Sequence, residues 1–283
     1  MSTAGAKFTE KTLLDQAGKV FIVTGSSSGV GKELAQILYS HNANKAGKAI
    51  ESIKAAFPNS NGIPQVERPI VFLHLDLDDL TTIKKSAEEF LSKEQRLDVF
   101  WNNAGLLTPI LVKTAKTAPL GTVRVVWVSS STADSFSPNG RVDMDNLDYK
   151  EDKSAWHKYG VSKAGNVLHS SEYAKRYGND GIVSVSLNPG NLKTELQRSF
   201  PRFQRIIISF LLYSPIHGAY TELFAGLSAN GSMEKTGAWI IPWGRFGHLR
   251  KDIIAATKEV AEGGMGIAGN FWDWSEEQVK PYL

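Results

Sequence analysis

The chain has 283 residues, 42% of them hydrophobic and 22% charged, with 25 Gly and 11 Pro. This is a globular composition, and the chain is long enough to bury a large core. Its formal net charge of +3 comes from 32 basic and 29 acidic residues with no basic block, which speaks against nucleic acid as the partner. There is no cysteine, so disulfides and thiolate catalysis are excluded. Residues Met1 to Lys19 are polar and lack a signal-peptide core, and the longest apolar run, Ile206 to Tyr213, is too short to span a bilayer. A cytoplasmic protein without a transmembrane segment is expected.

Lys19 to Thr24 is a β-branched run that ends in a glycine-rich turn and reads as a buried strand; Val30 to Tyr39 follows with helical spacing. Ala46 to Phe57 reads as a second helix, stopped by Pro58. Ile70 to Leu75 reads as a strand, and an amphipathic helix follows from Asp76. Leu97 to Trp101 is the next strand, Leu106 to Lys116 a helix, and Val123 to Val128 a strand ending in three serines. Thr132 to Asp152 reads as a long loop, followed by a helix carrying Tyr159 and capped by Gly178. Ile182 to Leu187 is a strand, Phe200 to Ala229 a helical segment that partly forms a lid, and Ala238 to Pro242 a final strand. Continuous apolar strands alternating with helices predict a parallel sheet covered on both faces. Ligands in such sheets sit at the carboxyl ends of the strands, so the turns after the strands are the informative residues.

The first of these turns has Gly25, Gly29 and Gly31 directly after a strand and opening a helix. Glycine allows a tight turn and a close approach to a pyrophosphate, and the helix N-terminus supplies free N–H groups. Asp76, with Leu77 beside it, reads either as an acid at a helix start or as a partner for adenine. Asn102, Asn103, Ala104 and Gly105 are small turn residues that leave room for a flat cofactor. Ser129, Ser130 and Ser131 form a cap, a turn, or a hydroxyl aimed at a substrate oxygen. Pro189, Gly190 and Thr194 follow the next strand, where simple chain reversal is the plainest reading. Tyr159 and Lys163 stand four residues apart, on one face of their helix, where the pair is either an ordinary surface feature or, because an ammonium favours the phenolate, a proton donor. No metal site is expected.

Taken together, the turn at 24–31, the Asn102–Gly105 motif, the serine after the Val123 strand, "YGVSK" at 159–163 and "NPG" at 188–190 resemble the short-chain dehydrogenase/reductase family over nearly the whole chain, in particular its fungal retinol-dehydrogenase-like branch. The resemblance implies one NAD(P)-binding domain over residues 1–283, an α/β, doubly wound, mostly parallel Rossmann-like sheet. It implies that Tyr159 gives or takes the proton, that Lys163 holds the nicotinamide ribose and lowers the pKa of Tyr159, and that Ser130, or Ser131 one register on, binds the substrate oxygen. Ser26, Ser28, Gly29 and Val30 would line the pyrophosphate and ribose, Asp76 and Asn103 the adenine side, and Leu192 and Thr194 the carboxamide. NADP is the favoured cofactor over NAD, with Lys32, Lys45 and Lys48 as the basic groups near a 2′-phosphate.

Two pieces of the family pattern have no counterpart. After His41 no β-branched run supplies the second strand, and only 17 residues, Leu106 to Thr122, cross over after Gly105, which suffices for a shortened crossover helix but holds no relay Asn. The resemblance implies a homo-oligomer, weakened by that shortening. The function expected is hydride transfer between nicotinamide and a carbonyl or alcohol. The substrate would be a small lipophilic or aromatic molecule, met by Phe200, Phe203, Phe210, Tyr213, Trp239, Trp243 and Phe246, unless these are core or surface aromatics. The alternative is a truncated, non-catalytic dinucleotide-fold protein that binds cofactor weakly or not at all.

Overall fold

The computed structural model of the protein describes residues 5–42, 73–76, 79–101, 107–138, 142–193 and 212–282. Six strands, β1 (Phe21–Val23), β2 (Val99–Trp101), β3 (Val123–Val128), β4 (Ile182–Leu187), β5 (Trp239–Ile241) and β6 (Arg245–Phe246), form one sheet in that order. The first five are parallel, in a register that sets Ile22 beside Phe100, Phe100 beside Val125 and Val125 beside Ser184. β6 turns back antiparallel on β5. The helices are α1 (Gly29–Asn42), α2 (Thr81–Lys93), α3 (Thr108–Ala115), the single turn α4 (Thr132–Ser135), α5 (Ala155–Tyr177), α6 (Pro215–Leu227), α7 (Lys251–Thr257) and α8 (Ile267–Val279). This is the expected Rossmann-like α/β fold.

Side chains alternate along each strand, so the sheet builds two cores. Trp101, Val126, Val185 and Leu187 pack with Leu34 and Ile37 of α1 and Leu223 and Phe224 of α6. Phe100, Val125, Trp127 and Ile182 pack with Phe90 of α2, Leu111 of α3, Tyr173 of α5 and Trp272 of α8. One polar residue in this pattern positions an element. Arg124, second in β3 and buried, donates to the carbonyls of Gly121, Ala225 and Ser228 at 2.8–3.1 Å. Two of these lie at the end of α6, whose last carbonyls lack partners within the helix and attract positive charge. Burial lowers the guanidinium to about 10, so it stays charged at neutral pH. The amino end of β3 therefore holds the C-terminus of α6, and α6 starts at the carboxyl edge of the sheet.

Several expectations change. Leu73 to Leu75 carry no strand; the other residues of that expected strand lie outside the described ones. The following helix starts at Thr81 rather than Asp76, because the Asp79 carboxylate accepts from the Thr81 N–H and hydroxyl. The long loop from Thr132 contains α4 and a short turn, Met144–Asn146. The sequence reading gave no elements after β5, where β6, α7 and α8 are found. The helix expected over 46–57 and the place of the missing second strand lie outside the described residues, among which β1 pairs with β2 alone.

Candidate active site

The turns that follow β1, β3 and β4 open on one edge, as parallel strands require. Beyond β3, Ser129 donates to the Lys163 carbonyl at 2.7 Å, which fastens the serine turn to α5. α5 starts with Ser154, whose side chain accepts from the His157 N–H, and ends at Gly178 as expected. Tyr159 thus sits in the second turn of a long, anchored helix. The Ser130 side chain accepts from the Thr132 N–H at 3.2 Å and stands near enough to the Tyr159 phenol to lower it, so Ser130 is the serine that faces the phenol. The Ser131 backbone instead starts α4 as its N-cap.

Lys163 is held by the Val128 carbonyl, to which Nζ donates at 3.2 Å, and the ammonium stands 5.6 Å over the centre of the Tyr159 ring. Burial pushes the Tyr159 phenol up, the Ser130 side chain pulling it part of the way back. Burial pushes the Lys163 ammonium down, opposed by Glu222. Lowering of the phenol by Lys163 was the expectation; in this geometry burial outweighs it, because the ammonium faces the ring and bonds a carbonyl rather than the hydroxyl. Sequence reasoning missed two neighbours. Asn166, one turn beyond Lys163, donates to the same Val128 carbonyl at 2.8 Å; its i,i+3 spacing from Lys163 was the available signal. Glu222 on α6 is buried, and burial raises its carboxyl to about 8, with Lys163 opposing.

The glycine turn fits a dinucleotide. Gly25 has φ +64 with open space where a Cβ would stand, and a Cβ on Gly31 would lie 2.8 Å from the Gly25 carbonyl oxygen. Only glycine lets the helix start this close behind the strand. Ser26 and Ser28 stand in the turn, Gly29 and Val30 open α1, and these four would hold phosphate oxygens at the helix N-terminus. Gly190 has φ +100 and donates to the Asn188 side chain. Leu192 is buried and forms a parallel bridge to Tyr213. A Cβ on Gly218 would overlap Leu192 and lie 3.1 Å from Val30. The start of α6 therefore joins the two predicted cofactor segments. Pro189, Gly190 and Leu192 follow β4 on that edge. Asp76 is exposed at the entry to α2, where its backbone N–H meets the Thr82 hydroxyl. Leu77, Asn103, Ala104, Gly105 and Thr194 lie outside the described residues.

The aromatic residues expected to shape a pocket divide. Trp239 is a buried core residue of β5. Phe246 sits edge-on to Phe224. Tyr213 and Trp243 pack on each other and on His217. Phe200, Phe203 and Phe210 lie outside the described residues.

A Rossmann-like sheet thus gathers a tyrosine, a serine and a lysine at its carboxyl edge. The short chain dehydrogenase family model matches residues 19–131. A short-chain dehydrogenase/reductase of Phomopsis amygdali is 49% identical over 320 residues, covering 98% of this chain and 94% of its own. One of Neocamarosporium betae is 42% identical over 319 residues, covering 98% and 90%. Among solved structures, NADPH-bound carbonyl reductase from chicken fatty liver shares the fold at a TM-score of 0.56 and 19% identity, over 81% of this chain and 98% of its own. The chain belongs to the short-chain dehydrogenase/reductase family and is an oxidoreductase.

Proposed function

We propose that this chain moves hydride between a nicotinamide dinucleotide, NADP in preference to NAD, and the carbonyl or alcohol carbon of a lipophilic or aromatic small molecule. The observation that carries this is Lys163, held on the Val128 carbonyl, standing over the Tyr159 ring while the serine turn is fastened to the same helix. When bound, the nicotinamide supplies or accepts the hydride. Ser130 holds the substrate oxygen, and Tyr159 donates its proton to that oxygen during reduction or takes it during oxidation. Lys163, fixed on Val128, holds the ribose hydroxyls and steadies the phenolate that proton loss leaves. Ser26, Ser28, Gly29 and Val30 bind phosphates, Asp76 and Asn103 the adenine side, and Pro189, Gly190, Leu192 and Thr194 the carboxamide end.

NADP is favoured because Lys32, just inside α1, is a basic group that can meet a 2′-phosphate; Lys45 and Lys48 lie outside the described residues. NADPH-bound and NADP-complexed proteins also occur among the fold neighbours. Nicotinamide fluorescence titration tests the reading: NADPH binds more tightly than NADH, and added salt narrows the gap because an exposed ion pair is screened. Equal affinities indifferent to salt would overturn the preference.

The retinol-dehydrogenase-like branch and the loss of two segments belong to the same reading. The alignment with the Phomopsis amygdali protein runs over 320 positions against 283 residues here, which supports segments present in the relative and lacking in this chain. Nothing favours the non-catalytic alternative. The enzyme is read as cytoplasmic and self-associating; among the described residues no helix is long and apolar enough to cross a membrane.

A further inference from the structure

Two large aromatic side chains that the sequence reading did not single out lie on the elements that carry Ser130 and Tyr159. Phe136 ends the α4 turn that starts just after Ser130, and Trp156 lies three residues before Tyr159 on α5. Their rings stack with centroids 5.2 Å apart at an interplanar angle of 28°, yet Phe136 remains 48% and Trp156 50% exposed. A glycine sets this pair. A Cβ on Gly160 would lie 2.6 Å from the Phe136 carbonyl carbon and 2.7 Å from the Ser137 nitrogen, so only a glycine right after Tyr159 lets the Phe136 backbone pass against the helix. Side chains on a helix lean toward its N-terminus, which tips Tyr159 over the turn that carries Trp156. Of the other described aromatics once expected at the pocket, Trp239 lies in the core, Tyr213 and Trp243 pack on each other and on His217, and Phe246 packs on Phe224 and is less exposed than either ring of this pair.

We propose that the Phe136–Trp156 stack is the substrate-recognition wall of this site and selects a carbonyl or alcohol borne on a flat aromatic ring, which lies against the exposed ring faces while its oxygen reaches Ser130 and Tyr159. This rests on the oxidoreductase reading above. Aromatic pairs prefer such offset or tilted contacts and gain from them beyond the area they bury, so the wall acts on substrate affinity and leaves proton and hydride transfer to the other residues.

The test uses the full chain with NADPH, comparing an aryl ketone, acetonaphthone, with the small aliphatic ketone butanone. The intact enzyme prefers acetonaphthone in kcat/KM. Trp156→Ala raises KM for acetonaphthone roughly five- to tenfold and leaves butanone unchanged; Trp156→Phe restores most of the loss, and Phe136→Ala behaves like Trp156→Ala. Equal losses on both ketones, tracking a lowered Tm, would make the stack a staple between α4 and α5 and overturn the proposal, as would an intact enzyme with no aryl preference. Equilibrium dialysis with naphthol gives a readout independent of turnover. If neither ketone is reduced, the proposed carbonyl chemistry fails, while naphthol binding weakened by Trp156→Ala still upholds the aromatic wall, and binding indifferent to that change rejects it.

Discussion

At the scale of single residues, the site is a competition between burial and a neighbouring serine over one phenol. On the function proposed, Tyr159 must hold its proton until the substrate oxygen takes it, and burial favours that by disfavouring the phenolate. Ser130 works against burial, since its side chain pulls the phenol back down. Lys163 has its Nζ on Val128, which leaves it over the ring, where the proposed function has it meet the ribose. Replacing Tyr159 with Phe removes the transferable proton and little else. We expect kcat to fall by at least about 10²-fold, the lower end for general acid catalysis, while cofactor titration remains near normal. Near-normal kcat in Tyr159→Phe would place the proton transfer elsewhere.

At the scale of elements, α6 brings the cofactor segments together, and its position depends on a residue at its far end. Arg124 caps the α6 carbonyls from β3, and α6 in turn starts between Val30 and Leu192. Arg124→Ala leaves those carbonyls unpaired in a buried place. It should cost about 2–4 kcal/mol in urea unfolding and weaken cofactor binding as the start of α6 shifts. A loss under about 0.5 kcal/mol, the range of ordinary surface changes, would show that α6 is held by packing alone. This dependence was hidden in the sequence, where Arg124 looks like a lone charge in "VRVVWV"; its partners lie about a hundred residues away. The β-branched runs and glycine turns were legible because strand burial and tight turns are local demands. The spacing of Tyr159 and Lys163 was legible for the same reason, since i,i+4 neighbours share a helix face. Trp156 and Phe136 were not, because their meeting depends on Gly160 letting two distant segments touch. The C-terminal helices were missed as well: the contacts that hold α8, such as Trp272 against His169, Tyr173 and Arg176, come from α5 rather than from its own pattern.

At the scale of the whole molecule, the second core carries a titratable group whose cost governs acid stability. His169 of α5 stacks on Trp127 at 5.5 Å, lies 4.7 Å from Phe271 and 5.6 Å from Trp272, and shares a hydrogen bond with Ser275. Among these apolar rings burial pushes its imidazole down from 6.5 to about 4. A base whose folded pKa is depressed binds fewer protons in the native state than in the unfolded one across that window. Its contribution is therefore complete above the unfolded value and is lost as pH falls from 6.5 toward about 4. The shift converts to about 3 kcal/mol at most, trimmed because His169 is only partly shielded from water. His169→Phe keeps an aromatic ring among Trp127, Phe271 and Trp272 but cannot charge. Thermal unfolding followed over that pH range should show the variant holding its Tm on the acid side while the native chain falls by several degrees, with the two curves converging, apart from a constant offset, above the imidazole's ordinary pKa. Parallel curves throughout would mean that His169 is already charged in the folded protein, and that the packing of α5 against α8 tolerates a cation among its rings.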